Sequence, residues 1–108
     1  MDGCWFYILL CADGSYYTGT SRSDDLETRV SQHNHGWFGG YTAKRRPVVL
    51  VYSAHFESIV EAIAYERQVK GWSRAKKEAL IVSDFEALQR LSKSYRSSRK
   101  PTSGTDEI

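Results

Sequence analysis

Between Ser58 and Gly71 the sequence SIVEAIAYERQVKG puts a carboxylate where a helix would bury an apolar side chain. At about 100° per residue, Ile59, Ala62, Ile63, Glu66 and Val69 share one face, with Glu66 near the middle of the stripe. Burying an unpaired charge is costly, so Glu66 must meet a cation, a metal ion or a proton. A closed ion pair with an arginine is the purely structural alternative. Arg29 and His33, four residues apart, stack on one helix face about 60° from the Leu26 and Val30 stripe that has to pack on a sheet. They therefore sit at the edge of the core, where a cation can reach a cleft while its helix stays anchored. Taken singly, such an arginine is usually a surface residue and such a histidine a surface or internally satisfied one.

Tyr7 and Tyr17 lie in two runs of strand-forming residues. With a three-residue loop holding Gly14 in a left-handed position, the expected register opposes Tyr17 to Cys11 and sets Tyr7 on the same face; a two-residue loop would separate them. A strand tyrosine by itself is more often a packing residue.

The elements that would position these groups follow from pattern and punctuation. WFYILLC (5–11) and YYTGT (16–20), joined by Ala12-Asp13-Gly14-Ser15, read as a hairpin. Ser23 is the expected cap of a first helix, with Asp24 and Asp25 in its first turn and Gly36 ending it. A glycine-rich basic loop from Gly36 to Pro47 leads to VVLVYSAHF (48–56), whose almost unbroken apolar character suggests a buried central strand. Ser58 and Glu61 form a capping box for a helix to about Lys70, with Gly71 ending it. Ser73 opens a helix from Arg74 to about Val82, and Ser83 with Glu86 opens a last one to about Lys93. The order β-β-α-β-α-α-α predicts an α/β chain of the α+β type: a small three-stranded, mainly antiparallel sheet flanked by helices. Residues 1–93 form the expected domain and 94–108, poor in anything to bury, a disordered basic tail.

The 108 residues allow one core, and 41% hydrophobic with 26% charged residues is an ordinary globular balance. No glycine-rich phosphate loop stands between a strand and a helix, which excludes dinucleotide-binding patterns. Cys4 and Cys11 lie seven apart on opposite strand faces, so neither a disulfide between them nor a zinc site with His33 and His35 is favoured. With no apolar run long enough for a signal peptide or a membrane span, a cytoplasmic protein is expected. Net charge is only +2, but 28–56 contains no acidic residue while holding Arg29, Lys44, Arg45 and Arg46. A second acid-free stretch, 88–104, holds Arg90, Lys93, Arg96, Arg99 and Lys100. Such segments suit a polyanion, or form a solvated face.

The ordered set Trp5-Phe6-Tyr7, Tyr17-Thr18-Gly19, Arg29 with His33, and Glu66 resembles the GIY-YIG endonuclease superfamily. The chain looks most similar to small stand-alone bacterial members related to the nuclease domain of the excision-repair subunit that makes the 3′ incision. The resemblance covers residues 5–81, about seven-tenths of the chain, including CADGSYYTG, RRPVVLVY and KGWSRAKKEALI. Trp5 and Phe6 stand where the family name has Gly and Ile, and many members carry an asparagine after the metal-binding glutamate, whereas the sole asparagine here is Asn34.

The resemblance implies a metal-dependent DNA endonuclease with a link to DNA repair. Tyr7 and Tyr17 would be its motif tyrosines, Gly19 its motif glycine, Arg29 the phosphate-binding arginine and His33 a helper on the same helix. Glu66 would hold one Mg²⁺ or Mn²⁺ ion. Tyr17, with His33 accepting its proton, is the first candidate to activate water, and Tyr7 could exchange roles with it. Substrate grip is assigned to Tyr41, Lys44, Arg45 and Arg46 on the loop and to Lys70, Arg74, Lys76 and Lys77, through phosphates, so that structure-selective or nonspecific action is expected. Trp37, Phe38 and Tyr41 could stack on unpaired bases or simply pack the loop. A nucleic-acid-binding module of the same fold with weak or no cleavage is the alternative.

Overall fold

The computed structural model describes residues 3–22 and 25–99. They form β1 (Cys4–Leu10), β2 (Tyr16–Ser21), α1 (Leu26–Asn34), α2 (Gly40–Ala43), β3 (Val49–Phe56), α3 (Ile59–Lys70), α4 (Arg74–Ile81) and α5 (Phe85–Arg99). The chain divides between Gly71 and Trp72 into two compact units, the first holding the sheet with α1 to α3 and the second holding α4 and α5.

The strand order is β2-β1-β3 and both pairings are antiparallel. β1 is therefore the central strand, and its residues show why: Phe6, Tyr7, Ile8 and Leu9 are consecutive and all buried, so both faces of β1 are covered. Each such aliphatic or aromatic side chain removed from water contributes about 1.5–3 kcal/mol. The expected central strand at 48–56 is instead the edge strand β3, whose residues are half-buried or exposed. Both runs are apolar, and periodicity alone does not distinguish a central strand from an edge strand shielded on parts of both faces.

The hairpin turns on Ala12-Asp13-Gly14, with Cys11 N–H bonded to Ser15 O at 2.8 Å and Gly14 at φ +86°. Leu10 then opposes Tyr16, and Leu9, not Cys11, opposes Tyr17. Because the difference is an even number of residues, Tyr7 and Tyr17 still share a face. On that face Tyr7, Leu9, Cys11 and Val48 form a core against which Leu26 and Val30 of α1 pack. α3 covers the other face, where the Tyr65 ring meets Phe6 edge-on at 5.1 Å and Phe56 at 5.3 Å.

α1 starts later than its acidic residues suggested. Asp25 is the cap, accepting from Thr28 N–H and Thr28 Oγ1, while the expected cap Ser23 lies outside the described residues. Gly36, at φ +76°, ends the helix: its N–H reaches His33 O and the next N–H, of Trp37, reaches Gln32 O. The loop that follows contains the one-turn helix α2. Asn34 ties the loop's far end to its beginning by bonding both backbone groups of Val48, Nδ2 to the carbonyl at 3.0 Å and Oδ1 to the N–H at 2.7 Å. Ser58 caps α3 as expected, and Gly71 closes it at φ −86°, without a left-handed turn.

In the second unit α4 is capped by Ser73 and packs on α5. α5 takes its capping bond from Asp84, which accepts from Ala87 N–H, rather than from Ser83. Ser83 at φ +59° instead occupies the left-handed position that ends α4, with Ser83 N–H on Leu80 O and Asp84 N–H on Ala79 O. α5 continues through Arg99, past the expected stop near Lys93; the remainder of the expected tail, 100–108, lies outside the described residues.

Candidate active site

β2 is an edge strand whose side chains alternate between two helices. Tyr17, Gly19 and Ser21 face α1, and Thr18 and Thr20 face α3. Arg29 of α1 donates from Nη2 to Ser21 Oγ at 3.0 Å. From the opposite face, Thr18 Oγ1 donates to Glu66 Oε2 of α3 at 3.0 Å. The two sets meet around β2 in one cleft of about 330 Å³, lined by Tyr7, Tyr17, Arg29, His33 and Glu66 together with Thr18, Gly19, Thr20, Phe38 and Lys70. All five residues singled out as catalytic candidates are thus brought to one place.

Gly19 lies directly opposite Tyr7. A Cβ at position 19 would fall 2.7 Å from the Tyr7 hydroxyl oxygen and 2.8 Å from Cζ. The ring has no room to yield, because it is buried and its hydroxyl is bonded to His33 Nε2 at 2.9 Å. The glycine is there for space and not for a left-handed backbone.

His33 is buried, and its second ring nitrogen, Nδ1, meets Thr42 Oγ1 of α2 at 2.9 Å. A neutral imidazole offers one donor and one acceptor. A phenol is a stronger acid than an alcohol, so the favoured chain has Tyr7 donating to Nε2 and Nδ1–H donating to Thr42. Burial, reinforced by Arg29, lowers the His33 pKa to about 4, so the ring is neutral at pH 7. Burial and then Tyr17 push Tyr7 above its ordinary value, partly opposed by Arg29. Tyr17 is also raised, by burial and then by Glu66, with Arg29 opposing. The expected pairing of His33 with Tyr17 is corrected: those rings make an edge contact at 5.3 Å, and the hydrogen bond goes to Tyr7.

Among the described residues, Glu66 is in no closed ion pair with an arginine. Its side chain is 15% exposed, and its nearest cation is Lys70 Nζ at 3.7 Å, on a side chain 67% exposed. Arg29 has its guanidinium 4.8 Å over the Phe38 ring, and among the described residues no carboxylate pairs with it.

The grip residues divide. Lys70 lines the cleft, and Tyr41 stacks on Tyr17 at 6.1 Å and 23°. Arg45 lies 3.8 Å over Tyr41 but is also paired with Asp13 of the hairpin turn at 3.0 Å, an acid remote in sequence. Arg46 is spent partly on the loop itself, donating to Ala43 O and Asn34 O, and Lys44 is exposed beside it. Arg74, Lys76 and Lys77 belong to α4 in the second unit, where Arg74 pairs with Glu78 at 3.0 Å and Lys76 Nζ sits 4.4 Å over Trp72. Thr18 and Thr42 were assigned no role from the sequence, and Phe38 was placed only as a base-stacking or loop-packing residue. Thr18 was signalled by strand alternation next to Tyr17, whereas Thr42 and Phe38 sit on an irregular loop that carries no period to read.

Residues 3–79 match the GIY-YIG catalytic domain. A UPF0213 protein of Staphylococcus saprophyticus is 46% identical over 81 residues, covering 75% of this chain and 96% of the relative. UPF0213 proteins of Staphylococcus aureus are 44% identical over the same span. The solution structure of the UPF0213 protein BH0048 from Bacillus halodurans is 39% identical, with a TM-score of 0.50, covering 83% of this chain and 97% of that one. With its motif residues gathered in one cleft and its domain matched over most of its length, the chain belongs to the GIY-YIG family and carries that family's nuclease domain, whose substrate is nucleic acid.

Proposed function

We propose that this protein is a divalent-metal-dependent endonuclease that hydrolyses phosphodiester bonds in DNA without reading sequence. The observation that carries this reading is the opening of Glu66 and Arg29, from opposite faces of the sheet, onto one cleft. Glu66 fits a hard divalent ion. Its carboxylate is oriented by Thr18, reaches solvent beside an exposed lysine, and among the described residues has no cluster of three His, Cys, Asp or Glu side chains around it. A single carboxylate suits Mg²⁺ or Mn²⁺, which keeps most of its shell as water and substrate oxygen. Bound to Glu66, the ion would polarise the phosphate and neutralise the departing oxygen.

Arg29 supplies the fork for charge developing on the phosphoryl oxygens. By analogy with oxyanion donors this contributes about 2.7–4 kcal/mol, and the Ser21 and Phe38 contacts orient it in advance. Tyr7 presents its oxygen to the attacking water, its own proton held by His33 Nε2 and the neutral imidazole fixed at Nδ1 by Thr42. Tyr7 is preferred over Tyr17 because it has an acceptor in line. Tyr17, raised above its ordinary pKa, acts as a neutral donor to the substrate. Lys44, Arg46 and Lys70, with Arg74, Lys76 and Lys77 of the second unit, hold backbone phosphates. DNA is preferred over RNA on family resemblance, and a cytoplasmic location suits two free buried cysteines.

A nicking assay with Mg²⁺ or Mn²⁺ on DNA and RNA tests this reading. Glu66→Ala and Arg29→Ala are expected to lower the rate by about 10²-fold or more. Metal-independent binding by the wild type without cleavage would instead support a binding module of the same fold.

A further inference from the structure

The loop after α1 leaves three large aromatic side chains in water: Trp37 is 70% exposed, Phe38 44% and Tyr41 40%. Residues that merely packed the loop would lose most of their surface, and Trp37 keeps most of its own. Two of the three are continuous with the cleft. Phe38 lines it, with its ring 4.5 Å from His33 and beneath Arg29. Tyr41 lies nearly parallel on Tyr17, which also lines the cleft, and carries Arg45 on its ring. Ring faces and guanidinium groups therefore alternate along the cleft's lip.

We propose that this lip is a stacking platform for unpaired bases and that the cleft's substrate is single-stranded DNA; the inference rests on the nuclease reading and names its substrate class. In a duplex the faces of the bases are covered by their neighbours, so only unpaired bases can present a ring to Trp37 or Tyr41. Stacking on an aromatic side chain is worth about 1–3 kcal/mol per base and is indifferent to base identity, which suits a site with no separate recognition domain. Charge identifies the occupant as nucleic acid and not an apolar protein surface. The segment 28–56, which carries all three aromatics, has no acidic residue, and Lys44, Arg45 and Arg46 follow them in sequence, with Arg45 lying over the Tyr41 ring. The strand's phosphates can then run along Arg29 and the loop cations while its bases turn toward the rings.

The test is fluorescence anisotropy of a dye-labelled oligo(dT) and of a duplex of equal length, in EDTA so that nothing is cleaved. Trp37→Ala is expected to weaken single-strand binding about tenfold and duplex binding by less than about twofold, with Trp37→Phe close to wild type. An oligonucleotide of abasic nucleotides should bind the wild type at least as weakly as oligo(dT) binds Trp37→Ala, and the variant should distinguish the two less than the wild type does. Equal weakening of single strand and duplex, or tight binding of the abasic strand, would overturn the proposal. Because binding is read without metal, a failed cleavage assay and a failed stacking test are separate results. Trp37 is solvent-exposed, so its replacement leaves the fold intact, and a thermal melt verifies this.

Discussion

The two flanks of β2 reach the same cleft by opposite construction. On the α1 flank three polar groups have fixed protein partners: Tyr7 to His33, His33 to Thr42, Arg29 to Ser21. There Tyr7 and His33 are buried, the imidazole is neutral, and the geometry is set when the chain folds. On the α3 flank Glu66 has one firm contact, Thr18, and one loose one, the solvent-exposed Lys70. The first flank is preorganised to move a proton, and the second is left exchangeable so that a cation can displace a lysine. Preorganisation is secured during folding on one side, and freedom to bind is kept on the other.

If this contrast is right, substitutions on the α3 flank should cost activity alone, and those on the α1 flank activity and stability together. The largest effect is expected from Glu66→Gln, a fall in metal-dependent nicking of about 10²–10³-fold with the melting temperature unchanged or higher. A comparable loss of stability would break the contrast. Gly19→Ala forces a Cβ against a ring that cannot move and is expected to destabilise by about 1–3 kcal/mol in urea titration, with nicking lost as well.

Thr42→Val leaves His33 Nδ1 buried without a partner, which costs about 1–3 kcal/mol, whereas Thr42→Ser should restore both stability and rate. Nitrogen NMR shifts should report Nδ1–H in the wild type and an altered tautomer balance in the valine variant. The smallest effect is on pH dependence. Folding lowers the His33 pKa from 6.5 to about 4, so the unfolded chain binds the proton more tightly. This contribution to stability is complete above pH 6.5 and is lost as pH falls toward 4. Between pH 7.5 and 5.5 the wild type should lose about 1 kcal/mol in urea titration. His33→Gln should show a flatter dependence over that window.

What was legible in the sequence was whatever repeats with a period. Glu66 in its stripe, and Arg29 and His33 at the margin of another, follow from helical geometry, and two strands of matching parity put Tyr7 and Tyr17 on a common face. Contacts made by irregular backbone were not legible. Nothing in GGYTAKRRP announces that a single turn of helix carries Thr42 beneath His33, or that Asp13, far back in the chain, would claim Arg45. Which of two tyrosines on one strand face partners the histidine stayed open, with Tyr17 preferred, because parity fixes the face but not the reach; the hydrogen bond goes to Tyr7. The central strand was misread because a long apolar run can serve an edge as well as a centre. Caps went astray by one or two residues where neighbouring Ser and Asp competed for the same task.

β2 is also one of the sheet's two outer strands, and an outer strand offers its spare backbone groups to any extended chain that drifts past. Here a guanidinium on one flank and a carboxylate on the other post charge beside that border. The groups that would cut a phosphodiester thus also discourage two copies from zipping together, and a variant stripped of both charges would surrender solubility along with chemistry.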